Sequence, residues 1–247
     1  MLKILIKNFS KIEFLVHFII SIIAIEIAFL IIIFIWYPAP TGELLGLKRI
    51  LVLIFLVTLC SGPMLTYFFI KPGIDFNLFD FVAIILLQLL VFISSTFVVV
   101  QARPVWIVFN VDRFDLVQSK DVDAKYINKA VFPFRKMSWL GPQWVASVFP
   151  KTISEKNELL IQSSLGGPDL PQRPDLYVDL STISYLKTAK PLNLLINFNS
   201  RPDVERALLN FPTADAWLPL VSGKKFAVVL INKNKKIPLG IAILNPW

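Results

Sequence analysis

Asp169, Asp175 and Asp179 fall together in the stretch Gly166-Gly-Pro-Asp-Leu-Pro-Gln-Arg-Pro-Asp-Leu-Tyr-Val-Asp179. Three carboxylates so close could hold a hard cation or share general acid–base work. A proline-rich loop more often uses aspartates as solvated or turn-capping groups, and that is the reading adopted. Asp112-Arg113 has the composition of a catalytic pair, but such a pair more commonly closes a strand as a turn or ion pair. Ser222-Gly-Lys-Lys225 offers a basic turn to a phosphate but lacks the glycine spacing of a P-loop. The chain has one histidine, His17, and one cysteine, Cys60, both in apolar runs. Beyond residue 100 there is therefore neither imidazole nor thiol, which removes most metal sites, the usual triads and any disulfide framework. No catalytic residue, metal or cofactor is expected, and the chain reads as a non-enzyme.

The elements that carry these groups divide into two halves. Over 247 residues the hydrophobic share is 55%, and mean hydropathy is +0.67, above the usual range of a soluble domain. Nearly all of the excess lies before residue 101. Apolar runs at 14–37, 50–70 and 78–100 are each long enough to cross a bilayer, which takes about 20 residues. The first is too long for a cleaved signal peptide and is read as retained. Trp36 and Tyr37 at its exit suit a membrane–water interface. The expected architecture is a membrane protein with three N-terminal transmembrane α-helices (1–101) followed by an α+β extramembrane domain (102–247). The first hundred residues hold six of 25 basic and five of 17 acidic side chains, so the remainder carries a net charge of +7. Such a domain can rest on anionic inner-membrane lipid or meet an acidic partner. Its basic residues are scattered and form no nucleic-acid motif, so nucleic acid is not expected as a partner.

Basic residues near the membrane ends divide evenly between the two sides. Lys3, Lys7 and Lys11 precede the first helix, which usually sets orientation, so the amino end is placed in the cytoplasm and the domain in the periplasm. Within the domain, alternation from Val105 to Val111 predicts a strand. Helices are expected at 119–130, at 153–165 behind the capping-box spacing Thr152-Ile-Ser-Glu155, and at 202–210. Strands are expected across 217–244, with turns at Ser222-Gly223 and 232–235.

Glu26 is the costliest residue in the membrane half, because a carboxylate near mid-bilayer normally faces protein. It can be a protonatable site or a handle for a partner's membrane helix. Alternatively, it is protonated and hydrogen-bonded to Gln88 or Ser61, which lie at similar depth, and the structural role is preferred. His17 is nine residues away, close to the opposite helix face, and is expected to snorkel rather than to pair with Glu26. Arg103-Pro104 is a joint: the proline cannot continue a helix and biases Arg103 away from helical angles. Arg103 is expected at head-group level, with the joint either fixing the domain's height or simply ending the helix.

The chain also resembles the TfpX/TfpZ-type type IV pilin accessory proteins of Gram-negative bacteria. The resemblance is carried by His17, Trp36-Tyr-Pro-Ala-Pro40, Gly62-Pro-Met-Leu-Thr66, Phe69-Ile-Lys-Pro-Gly73 and Leu86-Leu-Gln-Leu89. It continues through Ala102-Arg-Pro-Val-Trp-Ile-Val-Phe-Asn-Val-Asp-Arg-Phe114, Gly141-Pro142, Gly166-Gly-Pro-Asp-Leu170, Arg173-Pro174, Trp217-Leu-Pro-Leu220 and the terminal Asn245-Pro-Trp247. It is loosest over 118–165. It implies an inner-membrane protein that helps a type IV major pilin, with other pilus assembly components as further partners. The spans would touch the pilin's membrane helix, and the basic domain its globular head. Glu26, Gln88, Arg103, Pro104, Asp112, Arg113, Trp217 and Trp247 are the residues read as partner-contacting or structural. Two other classes remain open: a pilin-modifying transferase in the membrane, and a small transporter subunit with Glu26 in its path.

Overall fold

The structure, a computed structural model, describes residues 2–69, 78–223 and 225–247. The turn Lys71-Pro-Gly-Ile-Asp-Phe-Asn77 and Lys224 of the basic turn lie outside the described residues. The chain packs as two units, one of residues up to Phe34 with Leu47–Val100, the other of Ile35–Gly46 with Gln101–Trp247.

The first unit is helical. Helix α1 (Leu2–Ile31) runs into a π-turn at Ile32–Trp36. Helix α2 (Leu47–Leu59) continues through a π-turn at Cys60–Met64 into Leu65–Phe69, and α3 spans Leu78–Gln101. The π-turn in the second run contains Pro63, which has no N–H to give the ladder and so displaces the backbone locally. Leu15–Trp36, Leu47–Phe68 and Val82–Gln101 are each long and apolar enough to cross a membrane. On α2 the buried residues Leu47, Leu51, Ile54 and Thr58 form one stripe, at the spacing that keeps side chains on one helix face. The outward faces carry bare Leu, Ile, Val and Phe, as a lipid solvent requires. This is a membrane protein.

The second unit is built on a mixed sheet. Its strands are β1 (Pro104–Asn110), β2 (Arg113–Gln118), β3 (Gln143–Ser147), β4 (Tyr177–Asp179), β5 (Lys190–Pro191), β6 (Ala216–Val221), β7 (Phe226–Asn232) and β8 (Ile237–Ala242). They lie in the order β4-β3-β1-β2-β6-β7-β8, with β5 also paired to β6. β1 runs parallel to β3, and β2 parallel to β6; the other pairs are antiparallel. All seven residues of β1 are buried, more than one face of alternation implied. Val105, Trp106, Val108 and Val117 pack with Phe134, Val145 and Tyr177 in one core cluster.

Two helices support the sheet. Helix α4 (Ile153–Ser164) starts at Thr152, whose hydroxyl accepts from the Glu155 N–H, and stops at Gly166, φ +84°, and Gly167. Helix α5 (Arg201–Leu209) is capped by Ser200. The helix expected at 119–130 is shorter: a 3₁₀ turn at Ser119–Asp121 and one helical stretch, Ala124–Lys129. The three C-terminal strands and both of their turns fall where alternation placed them.

Trp217 and Trp247 part company here. Trp217 is fully buried with Leu195, Val204, Val228 and Leu230, and its Nε1–H donates to the Pro191 carbonyl at 3.0 Å. It is a core residue. Trp247 is 47% exposed and sets its ring edge-on to Phe226 at 5.2 Å. Trp217→Ala should therefore destabilise the protein by about 3–5 kcal/mol, the usual cost of emptying a buried aromatic site. Trp247→Ala should cost a small fraction of that. Thermal unfolding of the detergent-solubilised chain checks the difference, and equal shifts would show that Trp217 is not the core anchor described.

Candidate functional site

The acidic residues of the domain are engaged in local structure. Asp169 caps the 3₁₀ turn Leu170–Gln172 by accepting from the Leu170 N–H, and Gln172 returns a bond to the Asp169 N–H. Asp175 pairs with Arg173 through two bonds of 2.9 and 2.8 Å, and the guanidinium lies over the Tyr126 ring. Asp179 caps the turn Leu180–Thr182. The turn-capping reading adopted for this loop describes Asp169 and Asp179, and Asp175 is an ion-pair partner. Ser222 closes its own turn, its hydroxyl donating to the Lys225 carbonyl at 2.6 Å.

Asp112 and Arg113 do sit at a strand end, at the tip of the β1–β2 hairpin. The two-residue turn puts Val111 at φ +60° and brings the Asp112 N–H to the Asn110 carbonyl at 2.7 Å. A β-branched residue at positive φ is strained. Arg113 lies 4.0 Å from Asp112 and 3.8 Å from Asp115. Asp115, which sequence reading passed over, is the more buried acid. Burial pushes its carboxyl above the usual range, against the opposing hydrogen bond from Asn110 at 3.1 Å and the charge of Arg113. Alternation gave no signal for it, since it sets Asp115 on the face opposite the buried Phe114 and Leu116.

In the membrane unit four buried polar side chains form one cluster, without Glu26. His17 Nδ1 lies 2.9 Å from Thr66 Oγ1, and His17 Nε2 lies 2.7 Å from Gln88 Oε1. Gln88 Nε2 donates to Ser21 Oγ at 2.9 Å, and Thr66 Oγ1 donates to the Gly62 carbonyl at 3.2 Å. All three spans contribute, and His17, Ser21, Thr66 and Gln88 are buried. Two expectations are corrected. His17 does not snorkel, because it has two buried partners within hydrogen-bonding distance. Gln88 does not hold Glu26, because its amide is spent on His17 and Ser21. Ser61 bonds its own helix at the Thr58 carbonyl, and Glu26 is exposed on α1. Depth could have predicted two of these contacts, His17 with Thr66 and Ser21 with Gln88. His17 stands two residues inside its span and Thr66 two residues from the end of its antiparallel span, while Ser21 and Gln88 are each six residues in. Glu26 lies eleven residues in, at mid-span.

The Arg103-Pro104 joint ends the third helix and starts β1, as expected. Arg103 is 5% exposed, with its guanidinium 4.1 Å from the centre of the Trp139 ring. Trp139 in turn packs against Trp36 at 6.0 Å. Burial lowers the Arg103 pKa while the nearby Tyr37 opposes that fall, and burial raises the Tyr37 phenol. A weakly hydrated planar cation tolerates such an aromatic setting where an ammonium would not. Pro104 is buried at the start of β1 opposite Gln118. The Gln118 amide donates to the Ala102 carbonyl, and the Ser119 N–H to that of Arg103.

Among the described residues no group of three His, Cys, Asp or Glu side chains is placed to hold a metal. What the geometry offers is contact surface together with a pinned helical bundle. Gly62 tests the pinning: a Cβ there would stand 2.0 Å from Gln88 Oε1. Gly62→Ala should destabilise the bundle, Gln88→Ala should cost about 1 kcal/mol in lost hydrogen bonds, and the double variant should be no worse than Gln88→Ala alone, because the clash has gone. Thermal unfolding in detergent reads all three, and additive losses would contradict the packing described.

No family model matches the chain, and no solved structure does. Similar curated proteins come from Dichelobacter nodosus. The chain is 31% identical over 240 residues to its fimbrial assembly protein of serogroup I, covering 92% of this chain and 93% of that one. It is 32% identical over 241 residues to the serogroup E1 protein, with the same coverage. The protein of serogroups C1 and C2 matches at 31% over 109 residues, 43% of this chain. With identity above 30% spread over nearly the full length of both chains, membrane spans and sheet domain together, this chain belongs to the fimbrial assembly protein family.

Proposed function

We propose that this protein is a TfpX/TfpZ-type accessory factor of the bacterial inner membrane. It assists a type IV pilin by non-catalytic contact, with its amino end in the cytoplasm and its domain in the periplasm. The observation that carries the reading is the similarity to fimbrial assembly proteins across 92% of the chain. Partial matches to a lone domain would not constrain the whole architecture; this one runs through spans and sheet alike.

The placement of polar groups supports contact over catalysis. Asp169, Asp175 and Asp179 are occupied in caps and an ion pair. Glu26 is exposed on the same side of α1 as Ile19, Ile23, Ile27 and Leu30, all exposed as well. An ionisable group at the centre of a membrane helix costs about 2.5–3.5 kcal/mol on insertion scales and normally meets a partner. Gln88, Ser21, Ser61 and Thr66 are bonded within the bundle, so the partner fits best as a second membrane helix, that of the pilin, packed along this face. The net +7 domain would then meet the pilin's head.

Deleting the gene and measuring surface pili, total pilin and pilin mass separates the classes. The expected result is loss of surface pili with pilin mass unchanged, restored by the gene alongside its own pilin. Normal pili with an altered pilin mass would favour a modifying transferase, and normal pili with unchanged pilin would overturn the proposal.

A further inference from the structure

The segment Val131-Phe-Pro-Phe-Arg-Lys-Met-Ser-Trp-Leu140 joins the helical stretch Ala124–Lys129 to β3 without a regular element of its own. It is fastened from below. Phe134 and Met137 pack into the core cluster of β1, β3 and Tyr177. The Arg135 Nε–H donates to the Ala130 carbonyl at 2.6 Å. The opposite side of the same segment is bare: Phe132 is 88% exposed and Leu140 85%, flanked by exposed Val131 and Trp139. A loop held this firmly does not present four large apolar side chains by default. Water is a poor solvent for that surface, and a patch of this kind marks a contact with protein or membrane.

Two observations choose the membrane. The first is where the segment is tied. Trp139 packs on Trp36, the last residue of the first span, and on Arg103, two residues past the last residue of the third. Gly141, at φ +90°, comes against the Ile35 carbonyl and Pro38. The segment is thus anchored to the two chain positions that leave the bilayer, at the level where Trp and Tyr rings collect. The second is charge. Between Asp123 and Glu155 the sequence has no acidic residue, but it has Lys125, Lys129, Arg135, Lys136 and Lys151. Of these, Lys129, Arg135 and Lys136 immediately flank the bare side chains and are exposed. Apolar side chains ringed by cations match the boundary between acyl chains and anionic head groups.

We infer that residues 131–140 form an interfacial wedge that seats the domain on the bilayer, Phe132 and Leu140 entering the acyl boundary and Lys129, Arg135 and Lys136 meeting anionic phospholipid. This does not rest on the pilin reading, and it gives the domain a fixed seat whichever partner it serves.

The test uses the full chain with Cys60 replaced by Ala and a single cysteine at 132, 140 or 209. Each is labelled with an environment-sensitive fluorophore in vesicles of phosphatidylcholine and phosphatidylglycerol. Leu209, exposed at the end of α5, is the aqueous reference. The expected result is blue-shifted emission at 132 and 140, quenched by nitroxide-bearing lipid and shielded from aqueous iodide, with the reverse at 209. Shielding should weaken in phosphatidylcholine alone; no difference between compositions would overturn the charge assignment. Iodide quenching at 132 and 140 as strong as at 209 would overturn the wedge. So would shielding that appears only when purified pilin is added, which would make the loop a protein-docking surface.

Discussion

Between Gln101 and Pro104 the backbone exchanges one way of satisfying its hydrogen bonds for another. A membrane helix makes all of its bonds internally, whereas a strand takes its bonds from neighbours. In the few residues between, the carbonyls of Ala102 and Arg103 belong to neither pattern. Here Gln118 and Ser119, at the end of β2, supply their partners, so the first hairpin of the domain is folded back onto the joint that introduces it. Arg103 is buried in the same place, with its guanidinium over the face of the Trp139 ring. The first loop, Ile35–Gly46, packs with this unit, so the exits of two spans are drawn into one polar and aromatic cluster.

The membrane unit follows the opposite rule. There, polar side chains are costly unless paired, and His17, Ser21, Thr66 and Gln88 pair with one another or with the Gly62 carbonyl across three spans. Gly62 is what allows the Gln88 amide to approach the second span. Against this economy Glu26 stands out, since it lies at mid-span on an exposed face. Under the proposed function that exposure is the feature a partner's membrane helix answers.

Much of this architecture was legible in the sequence. The three spans, the first strand, helix α4 behind its Thr152 cap and the C-terminal meander all follow from hydropathy, periodicity and capping chemistry, because those signals are local. Strands β2, β3 and β4 were not, because they are short and take their pairing from distant residues: Val145 stands opposite Asp179, and Phe114 beside Leu220. The intramembrane cluster was half legible. Gln88 was singled out, but it was given to Glu26 by approximate depth, where matched counts from the span ends lead to Ser21. Arg103 was recognised as the joint, but its burial was not, because the ring that covers it comes from residue 139, and no spacing rule joins the two.

The contact between α1 and pilin is the claim on which the proposed function turns. The direct measurement is photocrosslinking in living cells from residues introduced singly at 23, 27 and 30, beside Glu26, with buried Ile25 as the reference position. The account predicts pilin adducts from the three exposed positions, none from 25, and their loss on Glu26→Leu. Piliated cells yielding no pilin adduct from 23, 27 or 30 would contradict it.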